Sequence, residues 1–273
     1  MSLDDIGPRF LALHTPGTPL LMPNAWDRGS ARLFASLGFG ALATTSGGFA
    51  ATRGQLDGSM TKSDVLAHTA DLCGATELPL SADLENCFDP TPEGAAATVT
   101  QAISAGVAGC SIEDFSGNPD DPIYELAHAA DRVRAAAEAA HGGTRPIVLT
   151  ARAENYLHGR VDLADTIARL VAFQEAGADV LFAPRVVDPD EVRQLLSAVD
   201  VPVSVLITPD APTVSELAQL GVSRISVGGA IAVAAYGAAV AAATELRDQG
   251  TAGYWELAKL ARPGIAQSFT RSP

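Results

Sequence analysis

Four times along this chain a stretch with helical spacing of apolar residues stops at a glycine, and an apolar, β-compatible run follows at once. The four stops are Leu37-Gly38-Phe39-Gly40, Ala105-Gly106-Val107-Ala108, Ala176-Gly177-Ala178-Asp179 and Leu220-Gly221-Val222-Ser223. Glycine tolerates the left-handed conformation that closes a helix before the next strand. Strand-like runs lie near Leu20–Met22, Ala41–Thr45, Leu80–Leu84, Gly109–Glu113, Ile147–Ala151, Val180–Ala183, Val203–Ile207 and Ile225–Val227. Between them, sets such as Ile167, Leu170 and Val171, or Val192, Leu195, Leu196 and Val199, recur at helical spacing. Strands alternating with helices predict a parallel sheet, and eight of them predict a closed (β/α)8 TIM barrel. An open doubly wound sheet is the alternative, because periodicity does not specify closure.

The 273 residues match a single barrel of about 250 residues. No low-complexity linker or charge break divides them, so one domain over residues 1–273 is expected, with Pro8 to Pro23 as a lead-in. A formal charge of −14 disfavours a phosphate backbone, and no nucleic-acid partner is expected. An anionic small molecule stays compatible, since a metal or one arginine reverses the local field. Cys73, Cys87 and Cys110 lack metal-ligand spacing and are odd in number, which suits buried, inert thiols in a reducing cytoplasm. Met1-Ser2-Leu3-Asp4-Asp5 lacks a basic region followed by a long apolar run. Ala230 to Ala243, which includes Tyr236, reads as too short for a membrane span and as a buried helix at a subunit contact.

The clearest chemical signal is Leu80-Ser81-Ala82-Asp83-Leu84-Glu85-Asn86. Asp83 and Glu85 are two residues apart, so an extended backbone turns both side chains to one face. The next strand ends Cys110-Ser111-Ile112-Glu113-Asp114, and acids at two successive strand ends point to metal binding or acid–base work at a barrel mouth. Asp57, after Gly54, reads as a turn residue or as a partner of metal-bound water. Hard oxygens suit Mg²⁺ or Mn²⁺; nothing supports a cysteine–histidine zinc site. The turn Thr44-Thr45-Ser46-Gly47-Gly48 offers amides and hydroxyls to anionic oxygens, but it is no dinucleotide fingerprint. In Leu149-Thr150-Ala151-Arg152-Ala153-Glu154-Asn155 the Arg152 guanidinium can clamp a carboxylate, with Glu154 orienting it or holding metal-linked water. His158 is a secondary candidate.

Taken in order, Pro23-Asn24-Ala25-Trp26-Asp27, Thr45-Ser46-Gly47-Gly48, Ser81-Ala82-Asp83-Leu84-Glu85, Ile112-Glu113-Asp114, Ala151-Arg152 and Arg224-Ile225-Ser226-Val227-Gly228-Gly229 resemble the isocitrate lyase and phosphoenolpyruvate mutase superfamily. The resemblance implies a Mg²⁺-dependent enzyme that consumes or forms a small 2-oxo acid through an enolate-like intermediate. It implies Ser46, Gly47 and Gly48 around substrate oxygens, and Asp83, supported by Asp57, Glu85 and Glu113, around the metal and its waters. Arg152 matches the arginine that holds the substrate carboxylate, and Arg152, Glu113 and Asp57 are the candidate catalytic groups. Trp26 matches an aromatic lining residue, with a core tryptophan as the alternative. A homotetramer with exchanged C-terminal helices is also implied.

The chain departs from these relatives at Phe115-Ser116-Gly117-Asn118-Pro119-Asp120-Asp121-Pro122, where the active-site loop falls. Isocitrate and methylisocitrate lyases carry a Lys-Lys/Arg-Cys-Gly-His motif there, and phosphonate mutases a lysine with an asparagine. This segment has neither set, and Asn118 alone does not replace them. Metal-assisted decarboxylation of an oxaloacetate-like substrate is therefore the expected reaction. Cleavage of 2-methylisocitrate or a substituted malate, phosphonopyruvate hydrolysis, and noncatalytic oxo-acid binding are the alternatives.

Overall fold

The computed structural model describes residues 6–269; Met1 to Asp5, considered above for targeting signals, lie outside the described residues. Nine parallel strands are present among them: β1 (Leu20–Met22), β2 (Asn24–Ala25), β3 (Leu42–Thr44), β4 (Leu80–Asp83), β5 (Gly109–Glu113), β6 (Val148–Arg152), β7 (Val180–Phe182), β8 (Val203–Leu206) and β9 (Arg224–Ser226). The helices are α1 (Ile6–Ala12), α2 (Arg28–Ser36), α3 (Ser46–Thr52), α4 (Lys62–Cys73), α5 (Pro92–Ala105), α6 (Leu126–His141), α7 (Leu163–Glu175), α8 (Pro189–Ala198), α9 (Val214–Leu220), α10 (Ala230–Gln249) and α11 (Trp255–Phe269).

The sheet runs β1-β9-β8-β7-β6-β5-β4-β3-β2, so its two ends are β1 and β2, separated only by Pro23. Proline has no N–H to give to a ladder, which breaks one barrel strand into two short pieces. The Pro23 carbonyl still accepts from the Ala43 amide at 3.0 Å. Asn24 donates to the Thr44 carbonyl at 2.8 Å and accepts from the Val227 amide at 3.2 Å, tying the join to both neighbours. Leu20 to Ala25 is thus one interrupted barrel strand, and every expected strand position is filled. Gly38, Gly106, Gly177 and Gly221 have φ of 86°, 106°, 104° and 101°, the left-handed stops that the punctuation predicts.

Alternation along the strands sorts side chains into two cores. Cys110, Ile112, Leu149, Ala151, Leu181, Val203, Val205 and Ile225 face outward against the helices. Inside, Leu20, Ala43, Val148 and Val180 pack on Phe10 of α1, which closes the N-terminal end of the barrel. Above that plug the buried residues turn polar, with Ser81, Ser111, Thr150, Ser204 and Arg224. The apolar floor and outer core hold the strands; the polar layer leads to the site.

On α7 the buried stripe is Thr166, Arg169, Leu170 and Phe173, and Arg169 pairs with Asp114 at 3.2 Å. The Ala-rich segment is not buried among the described residues: α10 runs 20 residues and buries only Ala232, since no further layer of described residues covers it. It is long and apolar enough to cross a membrane by length and composition, contrary to the shorter reading. All three cysteines are free; Cys87 and Cys110 are buried as expected while Cys73 is half-buried, and burial pushes the Cys73 and Cys87 thiols up to about 12.

Candidate active site at the carboxyl ends of the strands

The last residues of β4, β5 and β6 are Asp83, Glu113 and Arg152. Parallel pairing places Glu113 directly opposite Arg152 and Asp83 opposite Ser111. The Arg152 guanidinium donates from Nη1 to Asp83 at 3.0 Å, from Nη2 to Glu113 at 3.2 Å and from Nε to Glu154 at 2.8 Å. One cation thus joins three carboxylates, and their field pushes its pKa well above the usual range although burial opposes this. Burial pushes the Glu113 carboxyl well up, against the pull of Arg152. Glu154 is almost wholly buried, and its amide donates to Asp114 at 2.8 Å.

Asp83 is held from the neighbouring strand as well. Its amide donates to Thr44 Oγ1 at 2.8 Å, and its carboxylate accepts from the Ser46 amide at 3.1 Å. The Gly48 amide donates to Thr45 Oγ1 at 3.3 Å, capping α3. Two of the three amides expected to face substrate are therefore already taken by protein acceptors. Gly47 stands against Asp57: a Cβ there would lie 3.0 Å from Asp57 Oδ2, so glycine lets this carboxylate reach the mouth.

Glu85 sits in a tight loop where Glu85, Cys87 and Phe88 all have positive φ, at 51°, 61° and 57°. Such conformations are disfavoured for residues with a Cβ and persist only when the surroundings impose them. The buried Arg132 of α6 does so, donating to the carbonyls of Glu113 and Asp89 at 3.1 Å each and to that of Asn86. Burial first, then repulsion from Asp83 and Asp57, pushes the Glu85 carboxyl up to about 7, and its Oε1 is buried without a partner.

Among the described residues, no three Asp, Glu, His or Cys side chains close into a ready-made metal cage. Mg²⁺ does not need one: it keeps several waters and takes one or two carboxylates. Asp83 and Glu85, with an unsatisfied buried oxygen and mutual repulsion that a cation would relieve, fit that demand.

A cavity of about 160 Å³ opens over this cluster, lined by Ser46, Asp57, Asp83 and Arg152 among others. Glu85, Glu113, Gly47 and Gly48 do not line it. Trp26 does not line it; the ring packs edge-on against Phe34 at 5.8 Å and its Cβ backs Gly48. His158 stacks on Phe115 at 4.1 Å, outside the cluster. The segment from Phe115 closes on itself through a bridge to Ile123 and a Ser116 amide bond to the Pro122 carbonyl at 2.7 Å. Thr44 was named in its turn, and Arg224 in its motif without a role of its own. Arg224 lines the cavity from β9, and its signal was a charge alternating with Ile225 and Val227, which places it on the inward face.

A family model described as phosphoenolpyruvate phosphomutase matches residues 10–247, and the chain belongs to that family. Escherichia coli 2-methylisocitrate lyase is 34% identical over 217 residues, 76% of this chain and 72% of the lyase. An oxaloacetate decarboxylase from Chromohalobacter salexigens is 29% identical over 259 residues, 91% of this chain and 86% of that protein. A solved Burkholderia cenocepacia protein, described provisionally as a lyase/mutase, superposes with a TM-score of 0.89 at 49% identity, covering 93% and 92% of the two chains.

Proposed function

We propose that this barrel cleaves a carbon–carbon bond in a small 2-oxo acid, or in a 2-hydroxy precursor, through an enolate-like intermediate with Mg²⁺. The observation that carries this reading is Arg152 joined to Asp83, Glu113 and Glu154 at the wall of a cavity of about 160 Å³. Pockets for drug-sized ligands measure about 300–1,000 Å³, so a few-carbon acid is the fitting occupant.

Asp83 and Glu85 hold the metal in this reading, with Asp57 and Glu113 reached through water; Mn²⁺ shares the oxygen preference. The bound cation supplies positive charge beside the oxygen where the enolate develops. Arg152, held by Glu154 at 2.8 Å, would offer its two terminal nitrogens to a substrate carboxylate where Asp83 and Glu113 served the metal instead. That fork fixes the acid in one plane, where the breaking bond aligns with the carbonyl π system. The Ser46 hydroxyl adds a donor to the same oxygens.

The sequence similarity to an oxaloacetate decarboxylase and the missing lyase loop motif support decarboxylation of an oxaloacetate-like acid. Cleavage of a substituted malate is the second reading, favoured by the cation that Arg224 places in the cavity. A cytoplasmic homotetramer, without membrane or nucleic-acid partner, is part of the same proposal.

The test is a panel of oxaloacetate, 2-methylisocitrate, substituted malates and phosphonopyruvate, with products identified by NMR. We expect Mg²⁺-dependent release of a 2-oxo acid from one of them, abolished by EDTA. Reversible binding without turnover of any member would instead make the barrel an oxo-acid-binding protein.

A further inference from the structure

Three arginines are buried among the described residues: Arg169 is paired with Asp114, Asp165 and the Tyr124 carbonyl, and Arg132 with three backbone carbonyls, its Nε having no partner. Arg224 has two hydroxyls alone. Its Nε donates to Ser204 Oγ at 2.9 Å and its Nη1 to Thr150 Oγ1 at 3.1 Å, both neutral hydroxyls. Among the described residues no carboxylate lies within ion-pair distance of it, although it is only 4% exposed. Burial, then repulsion from Arg152, pulls its pKa down to about 9, so it stays cationic at neutral pH. A buried cation without a counter-ion costs several kcal/mol in desolvation, on the order estimated for single ions. Hydroxyls alone do not offset that.

The place of this charge gives it a use. Arg224 lines the same cavity as Asp83 and Arg152, together with Ser81, Ser111 and Ser226. Its Nη1 partner Thr150 stands two residues before Arg152 on β6, and Ser226 two residues beyond Arg224 on β9. Two residues are one pleat, about 6.6 Å along a strand. The cavity therefore has a cation near its mouth that three acids already neutralise, and a second cation deeper on the barrel axis that none does.

We propose that Arg224, with the Ser81, Ser111 and Ser226 hydroxyls, binds the second carboxylate of a four-carbon diacid whose 2-oxo or 2-hydroxy acid end lies at Arg152. The inference rests on the reading that the Arg152 end takes such an acid, and it narrows the substrate class to diacids.

Calorimetry on the full chain with Mg²⁺ tests this with three probes: oxalate, which has no far end; malate; and 4-malamate, a near-isostere with a neutral far amide. The wild-type protein should bind malate at least tenfold more tightly than malamate. Arg224→Met should shrink that ratio below about threefold and leave oxalate affinity within about threefold. Arg224→Lys, which keeps the charge without the fork, should retain part of the preference and serves if the methionine variant fails to fold. A wild-type protein that binds malate and malamate alike, or an Arg224→Met protein that keeps the tenfold preference, overturns the subsite alone. Failure of the wild-type protein to bind oxalate with Mg²⁺ overturns the Arg152 reading and the subsite with it.

Discussion

Asp83 and Arg152 are bound to each other in this structure, yet they serve opposite charges, and substitution separates the two roles. Asp83→Asn keeps size and removes charge, so Mg²⁺ affinity measured by calorimetry should fall tenfold or more, about 1.4 kcal/mol, with the fold retained. Unchanged affinity in a folded variant would remove Asp83 from the metal site. Arg152→Lys keeps charge but loses the planar fork that now reaches three carboxylates. Its kcat/KM on the substrate found should fall by about 1–3 kcal/mol of transition-state stabilisation, with metal affinity little changed. Wild-type efficiency in a metal-competent Arg152→Lys protein would contradict the clamp. These residues were legible in the sequence because acids and an arginine at strand ends of a barrel share one face. Trp26 was half legible: aromatic character does not say which side of the α3 loop a ring occupies. The role of Arg224 was hidden because a single charge beside apolar neighbours reads as the edge of a strand.

At the scale of elements, α1 and the turn after it plug the barrel floor. His14, just past α1, is buried, with Nδ1 at 2.9 Å from the Phe10 carbonyl and its ring edge-on to Phe10 at 4.9 Å. Burial first, then Arg224, lowers its pKa from 6.5 to about 4. The unfolded chain thus binds a proton that the folded chain refuses. This stability is fully present above pH 6.5 and is lost as pH falls towards 4, by up to about 3 kcal/mol. Denaturant unfolding at pH 7.5 and pH 4.5 should show that loss, and His14→Gln should show a smaller one. An identical pH dependence in the two proteins would place the acid sensitivity elsewhere, His68 being the next group lowered to about 4. The strands and their glycine stops were readable because local propensity decides them. The split of Leu20 to Ala25 at Pro23 was not, since pairing to β9 on one side and β3 on the other is a property of the closed ring.

For the molecule as a whole, the surface left open by α10 and α11 matters most. Val233, Tyr236, Val240 and Leu246 on α10, and Trp255, Leu257 and Leu260 on α11, are exposed, an apolar area that association would cover. Sedimentation equilibrium at micromolar concentration should give the mass of four chains, and Val240→Glu should lower it. A monomer at that concentration would contradict the assembly. For α10, the sequence reading of a buried helix at a subunit contact does not hold within one chain, because apolar composition does not say whose surface covers it. Decarboxylation, the first reading, passes through a pyruvate enolate held between a cation and Arg152. Whatever donor protonates that enolate must also remove the proton in reverse. The most direct measurement is therefore deuterium uptake at C3 of pyruvate in D₂O, followed by proton NMR with the wild-type protein and Mg²⁺. The account predicts exchange at least tenfold faster than with Mg²⁺ alone or with Asp83→Asn, and loss of that exchange with EDTA. Exchange by the wild-type protein at the rate of Mg²⁺ alone would contradict it.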